Sequence, residues 1–265
     1  MLTDNYDRLK NTELFILDMD GTIYLGDKVF EDAVDFISKA KACGKKIVYF
    51  TNNASKNPQI YYEKLIRMGF NAERSEIVSA GDVTAEYLLR NHPGKPVYLV
   101  GTPALEESFL ERGIVLSEDT DIVVSSFDTT LTYKKLETAC HLIRNGATFY
   151  CTHPDFNCPT ENGFIPDSGA IAALITASTG KTPKYFGKPY GESAEYIFNM
   201  FGVPFEKTAM VGDRLYTDIA FGKNNGILSI LVLTGETKKA DIKETNAPDI
   251  IFGRIGEILT FLVKK

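Results

Sequence analysis

No stretch of this 265-residue chain approaches the roughly 20 consecutive apolar residues that a helix needs to cross a bilayer. Its opening, MLTDNYDRLK, has no signal-peptide core, so the cytoplasm is the expected location. Positive charge is not in excess: 29 Lys and Arg stand against 35 Asp and Glu, and the net charge of −6 argues against a general nucleic-acid binder. A small anionic substrate stays open, because a local site can be positive on an acidic protein. Cysteine is scarce, and Cys43, Cys140, Cys151 and Cys158 fit reduced thiols. Cys151, His153 and Cys158 match no usual zinc spacing and lack a second Cys pair, so ordinary loop and core positions are the better reading. Repeats and low-complexity segments are absent. What remains is the composition of an ordinary globular protein, long enough for one large domain or two ordinary ones.

Against that background, short apolar runs alternate with helix-like segments along the whole chain, which indicates an α/β architecture. Strands are expected at 14–18, 46–51, 96–100, 121–126, 147–151, 208–212 and 227–233. In 192–201 an apolar stripe of Ala194, Ile197, Phe198 and Phe201 predicts a helix packed on a core. The Pro-, Asn- and Gly-rich segment 152–169 reads as a long irregular connection, with a turn at Asn162-Gly163.

Four of the segment ends carry chemistry. The run LFIL meets Asp18 and Asp20, two acids that share one side of an extended chain. IVYFTNN ends in Thr51, Asn52 and Asn53, TAMVGD ends in Asp213 with Asp218 five residues on, and KYFGKPY presents Lys188. Ligands of open α/β sheets gather outside the carboxyl ends of the strands, so these ends are expected to converge. Two like charges about 4 Å apart repel by roughly 4 kcal/mol at an effective dielectric of about 20. Three such acids would also repel a phosphate. A divalent cation resolves both problems, and all-oxygen ligands favour Mg²⁺. Lys188 adds fixed positive charge, and Thr51 and Asn52 add hydrogen-bond donors. Taken one at a time, each residue has a plainer role: Asp218 as a helix cap, Asn53 as a turn closer, Lys188 as a solvated surface charge. Together, in this order and at these ends, they describe a phosphate site.

The set Asp18-Met19-Asp20-Gly21-Thr22, Thr51, Gly187-Lys188-Pro189 and Gly212-Asp213 with Asp218 resembles the four ordered motifs of the haloacid dehalogenase-like superfamily. Thr51-Asn52-Asn53 and THPDFNCPTENGFIPDSGAI are similar to its NagD/p-nitrophenylphosphatase-like branch. The resemblance implies a Rossmann-like parallel-sheet core, residues 1–80 plus 181–265, with a smaller α/β cap inserted at 81–180. It implies a Mg²⁺-dependent phosphomonoesterase for a small phosphorylated metabolite such as a nucleotide or sugar phosphate. Asp18 would be the nucleophile that forms an aspartyl-phosphate, and Asp20 the acid and base. The metal would be held by the Asp18 carboxylate, the Asp20 backbone carbonyl and Asp213, with Asp218 behind them. Thr51, Asn52 and Lys188 would grip phosphoryl oxygens, with Asn53 supporting that loop, and Cys158 stands where some relatives offer substrate a polar side chain. Asp128 receives no role. The expected partner is a small metabolite, without nucleic acid or membrane; a homodimer is compatible.

Other readings fit less well. A receiver-like signalling module also combines acids, a Thr and a Lys, but is about half this length and lacks an acid at the Asp20 position. Dehalogenase and phosphonatase chemistry do not use that second acid. A phosphomutase differs only in whether water or a second hydroxyl accepts the phosphoryl group.

Overall fold

A computed structural model describes residues 2–160 and 163–262. The chain forms two compact units. One runs through Thr51, resumes at Gln59–Val78 and returns from Lys188 onward; the other comprises Asn52–Pro58 and Ser79–Gly187.

The first unit is built on a six-stranded sheet. Its order is Ile250–Phe252, Leu228–Val232, Thr208–Gly212, Leu14–Leu17, Lys46–Thr51 and Ile77–Ser79. The Leu14–Leu17 strand pairs in parallel with Thr208–Gly212 on one side and Lys46–Thr51 on the other. All four of its residues are buried, which is why it reads as an uninterrupted apolar run rather than an alternating one. The next strand of this sheet in sequence, Lys46–Thr51, lies to one side of it and the Thr208–Gly212 strand to the other. That makes its carboxyl end a topological switch point, where a crevice opens. Helices cover the sheet, and Phe36 of the Glu31–Ala42 helix meets Phe15 edge to face at 5.5 Å. Acids begin that helix (Glu31, Asp32) and lysines end it (Lys39, Lys41), complementing its dipole.

The second unit has its own four-stranded sheet, in the order Lys184–Tyr185, Thr148–Cys151, Ile122–Ser125 and Tyr98–Val100, all parallel. Its separate core includes Val100, Val123, Ala139, Phe149, Ile171 and Ile175. The units divide at 78/79 and 187/188 rather than at 80/81 and 180/181. Two local causes are visible. Lys184–Tyr185 is a strand of the second sheet, and Ser79 belongs to the helix it caps, Ala80–Asn91.

All seven expected strands are present, trimmed by no more than two residues at an end. The segment 152–169 is not irregular throughout: Asn157–Thr160 and Gly163–Pro166 pair as an antiparallel hairpin. It escapes a periodicity reading because it is short, contains Pro159 and Pro166, and has no buried face. Asn162 of the expected turn lies outside the described residues. The helix expected at 192–201 is Gly191–Phe201; Ala194 and Ile197 are buried, whereas Phe198 is half exposed and leans on Phe205.

Candidate active site

At the carboxyl ends of the central strands of the first unit, three carboxylates and one ammonium meet. Asp18 directly follows the Leu14–Leu17 strand, and its N–H still donates to Val211 O at 2.9 Å, so the sheet fixes the backbone from which the side chain departs. Asp213 directly follows the adjacent Thr208–Gly212 strand. Asp218 is buried in a π-helical turn, Leu215–Ile219. Its Oδ2 accepts the N–H of Arg214, the residue before the turn, at 3.1 Å, so it ties the turn back on itself rather than capping the helix that follows. Its other oxygen faces Lys188 at 2.8 Å. Gly212 permits this, because a Cβ at that position would collide with the Asp218 side chain. One carboxylate oxygen from each of Asp18, Asp213 and Asp218 lies within 4.8 Å of the others.

Lys188 is only 1% exposed, which removes the solvated-surface reading. Its Nζ donates to Asp18 Oδ1 at 2.6 Å and to Phe50 O at 3.2 Å, one residue before Thr51. Burial would lower the ammonium pKa, but Asp18 and Asp218 outweigh it and hold the group above its ordinary value. Burial pushes Asp18 up to about 6; Lys188 pulls it down and Asp218 adds to the rise. Burial, with Asp18 and Asp218 alongside, also pushes Asp213 well above the usual carboxylate range. Thr22 Oγ1 sits 3.4 Å from Asp18 Oδ2.

Asp213 decides whether this donor set can take a cation. Its Oδ2 accepts the Glu236 N–H at 2.7 Å, while its Oδ1 is buried and accepts no hydrogen bond from the described residues. An open, buried carboxylate oxygen beside two further carboxylates fits a hard divalent cation such as Mg²⁺. The Asp20 side chain is not in this cluster, and the residue is half-buried, its backbone bridged to Tyr24.

The remaining expected residues are positioned by the second unit, apart from Thr51, which is buried at the end of its strand in the first. Asn52 Nδ2 donates to Asp155 Oδ2 at 3.2 Å. Gly187, at φ +69°, passes so close to Asn52 that a Cβ would lie 2.7 Å from Asn52 Oδ1. Asn53 closes a turn, its Oδ1 accepting the Ser55 N–H at 2.9 Å and the Ser55 hydroxyl at 2.7 Å. Cys158, on the hairpin, places Sγ 3.9 Å from Asn53 Nδ2. Cys151 Sγ lies 3.1 Å from Ser168 Oγ and 3.3 Å from His153 O, and among the described residues neither thiol joins the group of metal-capable side chains that His153 forms with Asp155 and Asp167. His153 Nε2 donates to Asp167 Oδ1 at 2.9 Å, a buried bond that, with Asp167 accepting the Ser168 N–H at 2.6 Å, anchors the loop before Asp155. Asp128 proves architectural. Its Oδ1 accepts the Thr130 N–H at 2.8 Å, and its Oδ2 pairs at 2.8 Å with Lys135, which also donates to Gly101 O.

Sequence reasoning missed the loop after Leu228–Val232. Thr234 Oγ1 donates to Gly21 O at 2.6 Å, and Glu236 supplies the N–H on Asp213. The signal was there: ILVLTGET is another apolar run ending at the same sheet rim.

A family model for haloacid dehalogenase-like hydrolases matches residues 15–115, and a second, for HAD-like hydrolases, matches 185–258. An acid sugar phosphatase from Staphylococcus aureus is 37% identical over 242 residues, 91% of this chain and 93% of its own. The crystal structure of a 4-nitrophenylphosphatase from Thermotoga maritima superimposes with a TM-score of 0.92 at 46% identity, covering 96% of this chain and 98% of that one. A p-nitrophenyl phosphatase from Archaeoglobus fulgidus superimposes with a TM-score of 0.90 at 27% identity, covering 95% and 99%.

Proposed function

This chain belongs to the haloacid dehalogenase-like hydrolase superfamily, in its NagD/p-nitrophenylphosphatase-like branch of phosphatases, and on that footing we propose that it hydrolyses small phosphomonoesters, sugar phosphates foremost, through a phosphorylated Asp18. The observation that carries the mechanism is the buried Lys188 held 2.6 Å from Asp18 and 2.8 Å from Asp218. A lysine so placed keeps Asp18 ionised and aimed, and offers positive charge where phosphoryl oxygens must sit.

In this reading Asp18 Oδ2 attacks phosphorus and the ester oxygen leaves. Asp20 donates the proton that the leaving alkoxide needs, then takes one from the water that cleaves the acyl-phosphate. Two moderate barriers replace one high one. Thr51 and the adjacent Asn52 donate hydrogen bonds to the phosphoryl group, with Asn52 steadied by Asp155. Asp18, the Asp20 carbonyl and Asp213 would hold Mg²⁺, with Asp218 supporting them, and the ion would supply charge neutralisation that lets a dianionic phosphate approach three acids. The choice of sugar phosphates rests on the acid sugar phosphatase relative.

A panel of phosphorylated metabolites, ranked by kcat/KM with Mg²⁺ present, tests this. Sugar phosphates should lead, and Asp18→Asn should lower kcat by at least about a thousandfold while the protein stays folded. Turnover by Asp18→Asn at the parental rate would refute the nucleophile. A panel led by another class of ester would refute the substrate choice alone.

A further inference from the structure

We propose that Thr234 is a positioning residue, and that the loop it begins clamps the Asp213 carboxylate for metal binding. The proposal rests on the Mg²⁺-phosphatase reading above.

Asp213 lies between two glycines from distant parts of the chain. A Cβ on Gly21 would come within 2.5 Å of Asp213 Oδ2, and a Cβ on Gly235 would overlap the same atom. Gly21 also adopts φ +93°, a conformation that strains any other residue. Both backbones therefore press against one carboxylate oxygen, and no side chain fits on either face. What ties these two segments together is the half-buried Thr234 hydroxyl, which donates to Gly21 O at 2.6 Å. Gly21 donates in turn to Tyr24 O at 2.7 Å, so both of its backbone polar groups are held.

The same loop supplies the Glu236 N–H to Asp213 Oδ2 at 2.7 Å and the Thr237 N–H to Asp213 O at 3.3 Å. The consequence is a division between the two oxygens. Oδ2 is enclosed by Gly21, Gly235 and the Glu236 N–H. Oδ1, which accepts no hydrogen bond from the described residues, is left for a cation. The hydroxyl does a second thing: it holds the Gly21–Thr22 peptide at Gly21 O, while the Gly21 N–H bond to Tyr24 O holds the Asp20–Gly21 peptide that carries the Asp20 carbonyl, so the two bonds together set that carbonyl's direction. One threonine thus braces the segments that carry two of the three proposed metal ligands, without touching the metal or the substrate.

The test compares the parent with Thr234→Val, which keeps shape and loses the hydroxyl, and Thr234→Ser, which keeps the hydroxyl. Calorimetric titration with Mg²⁺ alone is expected to show binding weakened about tenfold in Thr234→Val and recovered to within about twofold in Thr234→Ser. With p-nitrophenyl phosphate at subsaturating Mg²⁺, kcat should fall in Thr234→Val with KM little changed. Gly235→Ala presses on Asp213 from the other side and should weaken Mg²⁺ binding too, which keeps the clamp testable if the valine variant does not fold. Parental Mg²⁺ affinity in the folded variants, or equal losses in valine and serine variants, would overturn the clamp while leaving the phosphatase reading standing. A parent that neither binds Mg²⁺ nor hydrolyses the ester would overturn that reading, and the clamp with it.

Discussion

Asp18 cannot be understood apart from Lys188 and the acids around it. A buried carboxylate normally costs several kcal/mol unless it is paired, and here one lysine serves both Asp18 and Asp218. With burial raising Asp18 from 3.8 to about 6, though Lys188 limits the rise, the folded site holds the Asp18 proton to higher pH than the unfolded chain does. Its contribution to stability is therefore complete below pH 3.8 and is lost as pH rises through about 6. Asp213 is raised for the same reasons and acts in the same direction. In metal-free buffer this part of the pH profile should raise Tm by a few degrees between about pH 7 and pH 5, and Asp213→Asn should flatten it. Thermal melts with EDTA and with Mg²⁺ check the point: the cation should remove most of the pH dependence by relieving the same repulsion. A metal-free profile that Asp213→Asn leaves unchanged would mean that the acids do not strain the fold.

Elements show why so much of the site could be read directly from the chain. A strand buried on both faces is a continuous apolar run, and the first polar residue after the run marks the sheet rim; Asp18, Thr51 and Asp213 were all legible that way. What could not be read was anything set by contact between distant segments. Asn52 with Asp155, Asn53 with Cys158 and Thr234 with Gly21 are side-chain meetings across 103, 105 and 213 residues. The paired strands Asn157–Thr160 and Gly163–Pro166 stayed hidden for the opposite reason: none of their residues is fully buried, so no hydrophobic pattern marks them. The π-helical turn Leu215–Ile219 is a third case. It matters because it brings Asp218 back over Gly212. Gly212→Ala should force that turn away and break the Asp218–Lys188 pair, costing about 2–4 kcal/mol of stability and most of the turnover. Urea unfolding together with kcat checks it; parental values for both would show that the turn can shift freely.

At the scale of the whole molecule, an acidic chain of net charge −6 has gathered its least favourable charges at one switch point. The buried Lys188 offsets part of that charge, and the open oxygen on Asp213 leaves room for a cation to offset more. A covalent Asp18 phosphate is the claim on which the proposed function rests. Asp20→Asn gives the direct measurement, because nitrophenolate leaves without needing a proton whereas the acyl-phosphate then lacks its base. Mixed with p-nitrophenyl phosphate and Mg²⁺ and quenched in acid, this variant should release about one equivalent of nitrophenolate and stall. Peptide mass spectrometry should then find one phosphoryl group on Asp18. Steady turnover without a burst, or a phosphoryl group on any other residue, would contradict the account.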